Sequence, residues 1–356
     1  MLDEVIRGGV VGSKSETHLV ILFELVKRNK TNTAEDNLRI FGTYTRVKAQ
    51  LVVGLISFVV GVSGATTIVK SPDAGAPATA DVSQRADYKP NGKGGGTARG
   101  AAASNDAALR ANGIRYHGGP LILGTTNVYY IWYGNWSGNT AVNILTDFAS
   151  QIGGSPYFNI NTTYYDRSGK RVSNSVKFAG STTDAYSLGA ALDDSDVQSV
   201  VADAITHGFL PVDANGVYFV LTSADVNETT GFCSNYCGWH SNATISGADI
   251  KFSFVGNADR CLSSCAPQTV SPNNNPGADA MASIIAHELE EAVTDPDLNA
   301  WYDFRGQENA DKCAWTFGTE YPLPNGSHVN MKLGSRYYLI QRNWVNASGG
   351  YCALRF

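Results

Sequence analysis

All six cysteines of this chain lie after residue 232, which limits where covalent cross-links can form. They occur as two C-x3-C pairs and two single positions: Cys233, Cys237, Cys261, Cys265, Cys313 and Cys352. An even number of cysteines clustered in one region is typical of a disulfide framework in an exported protein. A structural zinc knot is the alternative, but zinc-binding pairs are commonly separated by two residues and these pairs by three. The sequence therefore predicts a C-terminal part held by disulfides.

A segment with the layout of a secretory signal lies at residues 46–65, "RVKAQLVVGLISFVVGVSGA". Arg46 and Lys48 precede an apolar run over residues 51–62, and small residues follow it. The run is shorter than the roughly 20 residues of a membrane-spanning helix, so no stable span is expected in the mature chain. Because the segment begins at residue 46, either the start codon is assigned too far upstream or the segment is kept as a signal anchor.

Net charge and glycosylation motifs bear on the compartment and on the partners. The formal net charge is -5, which argues against nucleic acid because phosphate binding needs a basic surface. Six N-x-S/T motifs follow the signal-like segment, at Asn135, Asn161, Asn227, Asn242, Asn325 and Asn346. Such motifs are acceptors for N-linked glycans in exported proteins. Together with the cysteines, they predict an extracellular glycoprotein.

The chain is predicted to contain one folded domain, preceded by sequence of low complexity. Residues 66–113 are rich in Ala, Gly, Pro, Asp and Ser. Such a composition cannot bury enough apolar surface to offset the entropy lost on ordering. We therefore assign residues 66–113 to a linker or pro-segment and residues 114–356 to a single globular domain. Residues 1–45 are an N-terminal extension to which the sequence assigns no fold.

Strand-like and helix-like periodicities alternate along the predicted domain. Apolar runs rich in β-branched and aromatic residues predict strands, and apolar residues at helical spacing predict helices. The predicted strands are residues 127–134, 157–166, 173–180, 216–223, 248–256 and 336–344, and the first two predicted helices are residues 139–154 and 193–208. A third helix is predicted to follow Pro276 and Gly277 and to end at Pro296. Helices between strands indicate a mixed β-sheet covered by helices, in an α/β or α+β layered domain.

One predicted helix contains the sequence "SIIAHELEEAVTDPD" at residues 283–297, which points to metal chemistry. His287 and Glu291 are four positions apart and therefore share one face of the helix. A zinc ion accepts both imidazole nitrogen and carboxylate oxygen. Glu288 lies about 100° round the helix axis, where a general base would stand beside a water activated by the metal. The segment predicts a zincin-like active-site helix with glutamate as the second ligand.

A catalytic zinc site needs a third protein ligand, and the sequence offers several carboxylates. The candidates are Asp295, Asp297, Asp303, Glu308 and Asp311. Asp297 has the spacing of the third ligand in metzincins, whereas Asp311 lies in a loop that a disulfide between Cys313 and Cys352 would fix. Spacing alone does not choose among them. We take Asp295 and Asp311 as the leading candidates.

Two other interpretations of this helix compete with a zinc site. Acidic residues on a helix often form a solvated face, although carboxylates near a helix C-terminus, such as Glu290 and Glu291, oppose the helix dipole. The apolar residues just before His287 also indicate that this histidine is not fully exposed. Calcium takes six to eight oxygen ligands, and a histidine at this position argues against it. Zinc is therefore the predicted cofactor.

Other candidate residues have simpler explanations. His240 follows the first cysteine pair, and a loop histidine held by a short disulfide is the interpretation we favour. Trp132, Tyr133 and Trp136 would suit a carbohydrate-stacking face, but aromatic residues in a strand more commonly belong to the core. His117, in "YHGGP", is interpreted as part of a turn at the domain edge.

Three further stretches are informative together: "YHGGPLILGTTNVYYIWYGNW", "GVYFVLTSADVNETTGFCSNYCGWHS" and "HELEEAVTDPDLNAWYD". In this order they resemble the EXORDIUM / phosphate-induced protein 1 family of secreted plant proteins, and the resemblance spans residues 116–356. Members are associated with the cell wall, are linked to growth control and have no settled enzymatic activity. The resemblance therefore implies an extracellular or cell-wall location.

Within that family, the chain resembles microbial relatives more than plant members. Plant members keep the His-Glu pair but have Thr-Asn-Pro where this chain has Thr294, Asp295 and Pro296, and a small residue at the position of Glu291. The helix of microbial relatives reads H-E-x-x-E-A-x-T-D-P, and an acidic loop ending in Asp-x-Cys follows it, as at Asp311 here. The resemblance therefore implies a microbial-type member.

The sequence leads to two hypotheses about function. In the first, a secreted glycoprotein binds zinc through His287, Glu291 and one or two aspartates. Glu288 then activates water for hydrolysis of an amide or ester, as in a peptidase. In the second, the chain is a noncatalytic extracellular or cell-wall protein that takes part in growth signalling or carbohydrate binding. The corresponding partners are an extracellular peptide and a cell-wall polysaccharide.

Overall fold

The computed structural model describes residues 4–10, 21–27, 92–93 and 113–356. The chain divides into two compact units, Met1–Pro77 and Ala78–Phe356. In the first unit, strands β1 (Glu4–Val10) and β2 (Ile21–Lys27) pair antiparallel. The predicted signal segment at residues 46–65 lies outside the described residues, as does most of the predicted linker.

A five-stranded mixed sheet forms the centre of the second unit. In spatial order its strands are β5 (Val176–Asp184), β4 (Thr126–Tyr133), β7 (Gly216–Thr222), β10 (Ala248–Gly256) and β9 (Gly238–Ile245). The first four strands run parallel, and β9 runs antiparallel to β10 at one edge. Strands β4 and β7 are buried over nearly their whole length, as expected for apolar strands in the middle of a parallel sheet. The predicted mixed α/β architecture is confirmed.

Helices cover this sheet. They are α1 (Ala141–Gln151), α2 (Asp194–Thr206), the short α3 (Leu262–Cys265) and the long α4 (Pro276–Thr294). Helix α1 buries Ile144, Leu145 and Phe148 at helical spacing and packs against β5 and α4. Within the part of the chain that the structure describes, no helix has both the length and the apolar character needed to cross a membrane.

Short elements complete the second unit. The remaining strands are β3 (Arg115–Tyr116), β6 (Ala191–Leu192), β8 (Asn227–Glu228), β11 (Trp301–Tyr302), β12 (Tyr321–Pro322), β13 (His328–Val329), β14 (Met331–Leu333), β15 (Arg336–Tyr338), β16 (Asn343–Val345) and β17 (Tyr351–Ala353). They form two-stranded pairs: β3 with β11, β6 with β8, β12 with β13, β14 with β15, and β16 with β17. Short 3-10 helices occupy Phe158–Thr163, Ala258–Arg260 and Asp311–Cys313.

Two of the predicted strands differ from the structure. Residues 157–166 contain the 3-10 helix Phe158–Thr163 instead of a strand. The hydroxyls of Thr162 and Thr163 donate to the carbonyls of Asn159 and Ile160 at 2.8 Å, and such local bonds compete with strand pairing. Residues 336–344 form two short strands, β15 and β16, instead of one long strand.

The three disulfides bind the C-terminal part as predicted, but the C-x3-C pairs are joined differently. Cys233 bonds to Cys261, and Cys237 bonds to Cys265. Cys261 and Cys265 are four positions apart at helix α3, so both face the loop that carries Cys233 and Cys237. The interpretation of a short disulfide within one pair is therefore wrong. The predicted bond between Cys313 and Cys352 is present.

Helix α2 begins with a capping motif formed by Asp193 and Asp196. Removing this motif tests the fold. The Asp193 carboxylate accepts from the Asp196 amide at 2.9 Å, and the Asp196 carboxylate accepts from the Asp193 amide at 2.9 Å. Asp193→Ala removes this reciprocal cap and is expected to lower the free energy of unfolding by about 1 kcal/mol. Urea denaturation measures the change. Ser199→Ala, at an exposed position within the same helix, serves as the control, and an equal loss in both variants would contradict the prediction.

Candidate metal centre

Helix α4 places the His-Glu segment inside the protein. The helix begins after Asn275, whose side chain accepts from the Ala278 amide at 3.0 Å, and Pro276 occupies its first turn. Every residue from Gly277 to Thr294 is buried, so other parts of the protein cover this helix on all sides. The interpretation of this helix as a solvated acidic face is therefore wrong.

The structure brings three of the predicted metal ligands together. Nε2 of His287 lies 3.0 Å from Oε1 of Glu291 and 3.5 Å from Oδ1 of Asp311. The Asp311 amide also donates to Oε1 of Glu291 at 3.1 Å, which ties the 3-10 turn at Asp311–Cys313 to helix α4. Ligand atoms bound at about 2.0 to 2.2 Å round one tetrahedral zinc ion stand about 3.3 to 3.6 Å apart. These three side chains therefore have the chemistry and the spacing to hold a zinc ion.

A second group of possible ligands shares Glu291 with the first. Nε2 of His240 lies 3.7 Å from Oε2 of Glu291 and 3.2 Å from Oε1 of Glu308. The two oxygens of Glu291 thus face different histidines, Oε1 towards His287 and Oε2 towards His240. Among the described residues, these two groups are the ones whose donor atoms converge closely enough to hold a metal ion. Glu291 lies at their centre.

Several polar atoms in this cluster are buried without a hydrogen-bond partner. They include both ring nitrogens of His287, both carboxylate oxygens of Glu288 and Oδ1 of Asp311. Nε2 of His287 is close to Glu291 but lacks the angle of a hydrogen bond. Unpartnered buried polar groups are rare in proteins because each costs a desolvation penalty. Their convergence is the arrangement expected of ligands round an ion.

Burial and neighbouring charges alter the acidity of the cluster. Burial, and next the charge of Glu291, raise the pKa of Glu288 well above its usual value. The same two causes raise the pKa of Glu308 well above its usual value. Burial lowers the pKa of His287, but Glu291 and Asp311 outweigh it and raise that pKa overall. Burial lowers the pKa of His240 to about 4. Carboxylates outnumber imidazoles here, so the site favours the binding of a cation or of protons.

Glu288 stands at the edge of the cluster, on the side of strand β9. A Cβ added at Gly238 would lie 3.1 Å from Oε1 of Glu288 and 2.6 Å from Cγ2 of Ile284. The absence of a side chain at Gly238 therefore lets β9 approach helix α4 closely beside the Glu288 carboxylate. When ionised, an unpartnered carboxylate at this position has the chemistry of a general base.

Three predicted ligand candidates lie outside both groups, and one of them, Asp303, forms an ion pair with Lys312 at 3.0 Å. Helix α4 ends at Thr294, and Oδ1 of Asp295 accepts from the amides of Asn299 and Ala300 at 2.6 and 2.5 Å. Asp295 therefore fixes the turn that follows the helix, which is why it does not join His287. Asp297 is partly buried and forms a side-chain hydrogen bond with Asn242. The prediction of Asp295 as a ligand is not supported by this geometry.

The aromatic run of strand β4 does not offer a carbohydrate-stacking face. Trp132, Tyr133 and Trp136 are only 3%, 0% and 7% exposed and belong to the hydrophobic core. Strand β4 lies between two other strands and beneath helices, so its aromatic side chains pack inward on both faces. Of the predicted glycan acceptors, Asn135 and Asn325 are exposed, Asn227, Asn242 and Asn346 are partly buried, and Asn161 is fully buried. A glycan on Asn161 would not fit this fold.

His240 is the site residue that the sequence interpretation set aside. It lies in strand β9 and is buried, not in an exposed loop held by a short disulfide. The sequence does indicate this strand, because Ser246 and Gly247 precede β10. In the structure these two residues have positive φ and form the tight turn that joins β9 to β10. Two-residue turns of this kind connect antiparallel strands. Glu308, considered only as one of several acids, completes the second group.

Comparison with known proteins gives a consistent family assignment. A profile of the phosphate-induced protein 1 conserved region matches residues 114–339. The chain is 32% identical over 282 residues to Protein EXORDIUM-like 3 of Arabidopsis thaliana, covering 67% of this chain and 82% of that protein. It is 35% identical over 273 residues to Protein EXORDIUM-like 5 of the same plant, covering 65% and 75%.

A third relative comes from another plant. The chain is 28% identical over 218 residues to Protein PHOSPHATE-INDUCED 1 of Nicotiana tabacum, covering 53% of this chain and 67% of that protein. No solved structure matches the chain. The matched region contains the whole five-stranded sheet and helix α4. The chain therefore belongs to the phosphate-induced protein 1 (EXORDIUM) family.

Proposed function

We propose that this chain is a secreted metalloprotein that binds zinc through His287, Glu291 and Asp311 and uses the site to hydrolyse an amide or ester bond. The observation that supports this most strongly is the buried cluster itself. Its imidazole and carboxylate atoms, several of them unpartnered, lie about as far apart as ligand atoms round one ion. A buried group with excess negative charge is costly unless a cation compensates it. Zinc suits a donor set of one imidazole and two carboxylates.

The proposed chemistry assigns different tasks to the residues of the cluster. When bound, zinc supplies Lewis acidity and favours the ionisation of water. His287, Glu291 and Asp311 hold the ion, while Glu288 accepts the proton of the attacking water and later returns it to the leaving group. Strand β9 carries His240 beside the same cluster, where its neutral ring orients the Glu291 and Glu308 carboxylates.

A second candidate function is supported by the closure of the site. Six residues of the cluster, His240, His287, Glu288, Glu291, Glu308 and Asp311, are between 0% and 7% exposed. A catalytic zinc needs an open position, whereas a structural zinc is enclosed by protein. In this alternative the metal stabilises a noncatalytic extracellular protein, whose partner is a peptide or a cell-wall polysaccharide.

An extracellular location is part of the proposal. The three disulfides persist in oxidising compartments and are rare in proteins of the reducing cytosol. The signal-like segment at residues 46–65 and the exposed acceptors Asn135 and Asn325 agree with export. Expression in a eukaryotic secretion host, followed by enzymatic removal of glycans, tests it. We expect protein expressed from the full-length sequence to appear in the medium and to lose mass on deglycosylation, and retention inside the cells would contradict it.

Elemental analysis of the purified protein tests the metal site. We expect about one zinc ion per chain in the wild type and none in the double variant His287→Ala, Glu291→Ala, because two of three ligands are lost. Asp297→Asn is the matched control, since Asp297 is an acid near the same helix but lies outside both ligand groups. Zinc absent from the wild type, or retained in the double variant, would contradict the proposal. Two ions per chain would indicate that His240 and Glu308 bind a second one.

A further inference from the structure

The edge of the central sheet beside the cluster forms a backbone hydrogen bond with another part of the chain. Strand β9 is the outermost strand, and the His240 amide points away from β10. That amide donates to the carbonyl of Gly92 at 3.1 Å. Main-chain hydrogen bonds to a strand edge can hold a peptide, while pockets for its side chains give specificity.

Gly92 fits this position in a way that a larger residue would not. Its φ angle is +70°, a conformation that residues with side chains rarely adopt. A Cβ added there would lie 2.0 Å from the carbonyl oxygen of His240. The backbone at Gly92 therefore approaches strand β9 as closely as a glycine allows, and any other residue would have to move away.

The next side chain, Lys93, forms a partly exposed ion pair beside two aromatic rings. Its ammonium lies 2.5 Å from the Asp194 carboxylate, 4.9 Å from the ring centre of Tyr236 and 5.5 Å from that of Trp239. A carboxylate beside aromatic ring faces is a recurrent arrangement for binding an ammonium group. A cavity of about 280 Å³ lies beside this ion pair, and its lining includes Lys93, Asp194, Trp239 and His240, so the pocket borders the candidate metal centre.

We propose that the edge of β9 and the pocket of Asp194, Tyr236 and Trp239 form a binding site for peptides in which a glycine with positive φ is followed by a lysine. In this chain the site is occupied by the chain's own Gly92–Lys93 segment. Because the pocket borders His240, the resident segment also covers one side of the metal centre. This second role rests on the proposed function, whereas the peptide site itself does not depend on a metal.

A binding measurement with the full-length protein tests the site. The probe is a fluorescent peptide with the sequence of residues 88–96, "YKPNGKGGG", and the test variant is Gly92→Ala, Lys93→Glu. The added methyl group and the reversed charge displace the resident segment. We expect the variant to bind the peptide at least roughly tenfold more tightly than the wild type, because a tethered segment competes at a high effective concentration.

Three comparisons make the result specific. Adding Asp194→Asn to the variant is expected to abolish binding, and a peptide with glutamate in place of the lysine is expected not to bind. Lys177→Glu reverses a charge on β5, at the opposite edge of the sheet, and is expected to behave like the wild type. Equal binding of both peptides, or no binding to the variant, would overturn the proposal.

Hydrogen exchange gives a second measurement that requires no added peptide. The His240 amide is expected to be protected in the wild type and to exchange at least roughly tenfold faster in the Gly92→Ala, Lys93→Glu variant. An unchanged rate would show that the segment does not hold this amide and would overturn the assignment. Both measurements can be made on metal-free protein, so their failure is distinguishable from the absence of a zinc site.

Discussion

Glu288→Gln is expected to lower the rate of hydrolysis by roughly 100- to 10,000-fold and to leave the zinc content unchanged. Glutamine has nearly the same shape as glutamate, but it cannot accept the proton of an attacking water. Both carboxylate oxygens of Glu288 lack a hydrogen-bond partner, so the substitution breaks no contact that supports the fold. Turnover of a fluorogenic peptide set, measured beside the zinc content of each preparation, gives the two quantities.

Glu290→Gln is the matched control for this variant. Glu290 lies in the same helix and is equally buried, but its carboxylate is bonded to Asn343 and it belongs to neither ligand group. We expect it to keep both zinc and turnover. If Glu288→Gln retains full activity, Glu288 is not a general base. If no preparation hydrolyses any substrate while zinc is present, the noncatalytic alternative is favoured.

Lys312→Met is expected to lower the free energy of unfolding by about 3 to 5 kcal/mol. Lys312 and Asp303 form an ion pair at 3.0 Å, and both side chains are fully buried. The other oxygen of Asp303 accepts from the amides of Arg305 and Gln307. Removing the ammonium therefore leaves a buried carboxylate without its counter-charge, which costs far more than an exposed pair is worth. Denaturant unfolding monitored by tryptophan fluorescence measures the change.

Two further variants separate the charge effect from loss of packing. Lys251→Met is the same substitution in a pair whose acid, Asp249, is 48% exposed, so water can solvate that acid and a smaller loss is expected. The double variant Lys312→Met, Asp303→Asn has no buried carboxylate without a counter-charge. Part of the lost free energy of unfolding is therefore expected to return. A loss for Lys312→Met no larger than that for Lys251→Met would contradict the argument.

Much of the fold could be read from local sequence patterns. The runs at residues 216–223 and 248–256 became β7 and β10 almost residue for residue, and the predicted helix at residues 193–208 became α2. Identifying apolar runs succeeds here because a central strand of a parallel sheet is buried on both faces. It failed at residues 157–166, where threonine hydroxyls bond to the nearby backbone and a 3-10 helix forms.

Some features of the candidate site follow from local sequence, and others depend on contacts between distant parts of the chain. The spacing of His287 and Glu291 fixes their common helix face, because residues four apart are neighbours on any α-helix. The choice of Asp311 over Asp295 depends on where the helix ends and on which loop folds back onto it. The Asp295 carboxylate accepts a hydrogen bond from the backbone of the turn that follows it, whereas the Asp311 amide donates a hydrogen bond to Glu291.

The sequence by itself determined the mixed α/β architecture, the disulfide-bound C-terminal part and the His-Glu helix. These follow from periodicity, cysteine clustering and helix geometry, which act over short stretches of chain. Only the tertiary structure decided that the acidic helix is buried, that the cysteine pairs bond across to each other and that His240 meets Glu308. Those two residues are 68 positions apart, and their contact exists only because strand β9 and the acidic loop pack against the same helix. Side chains brought together by packing leave no periodic trace in the sequence.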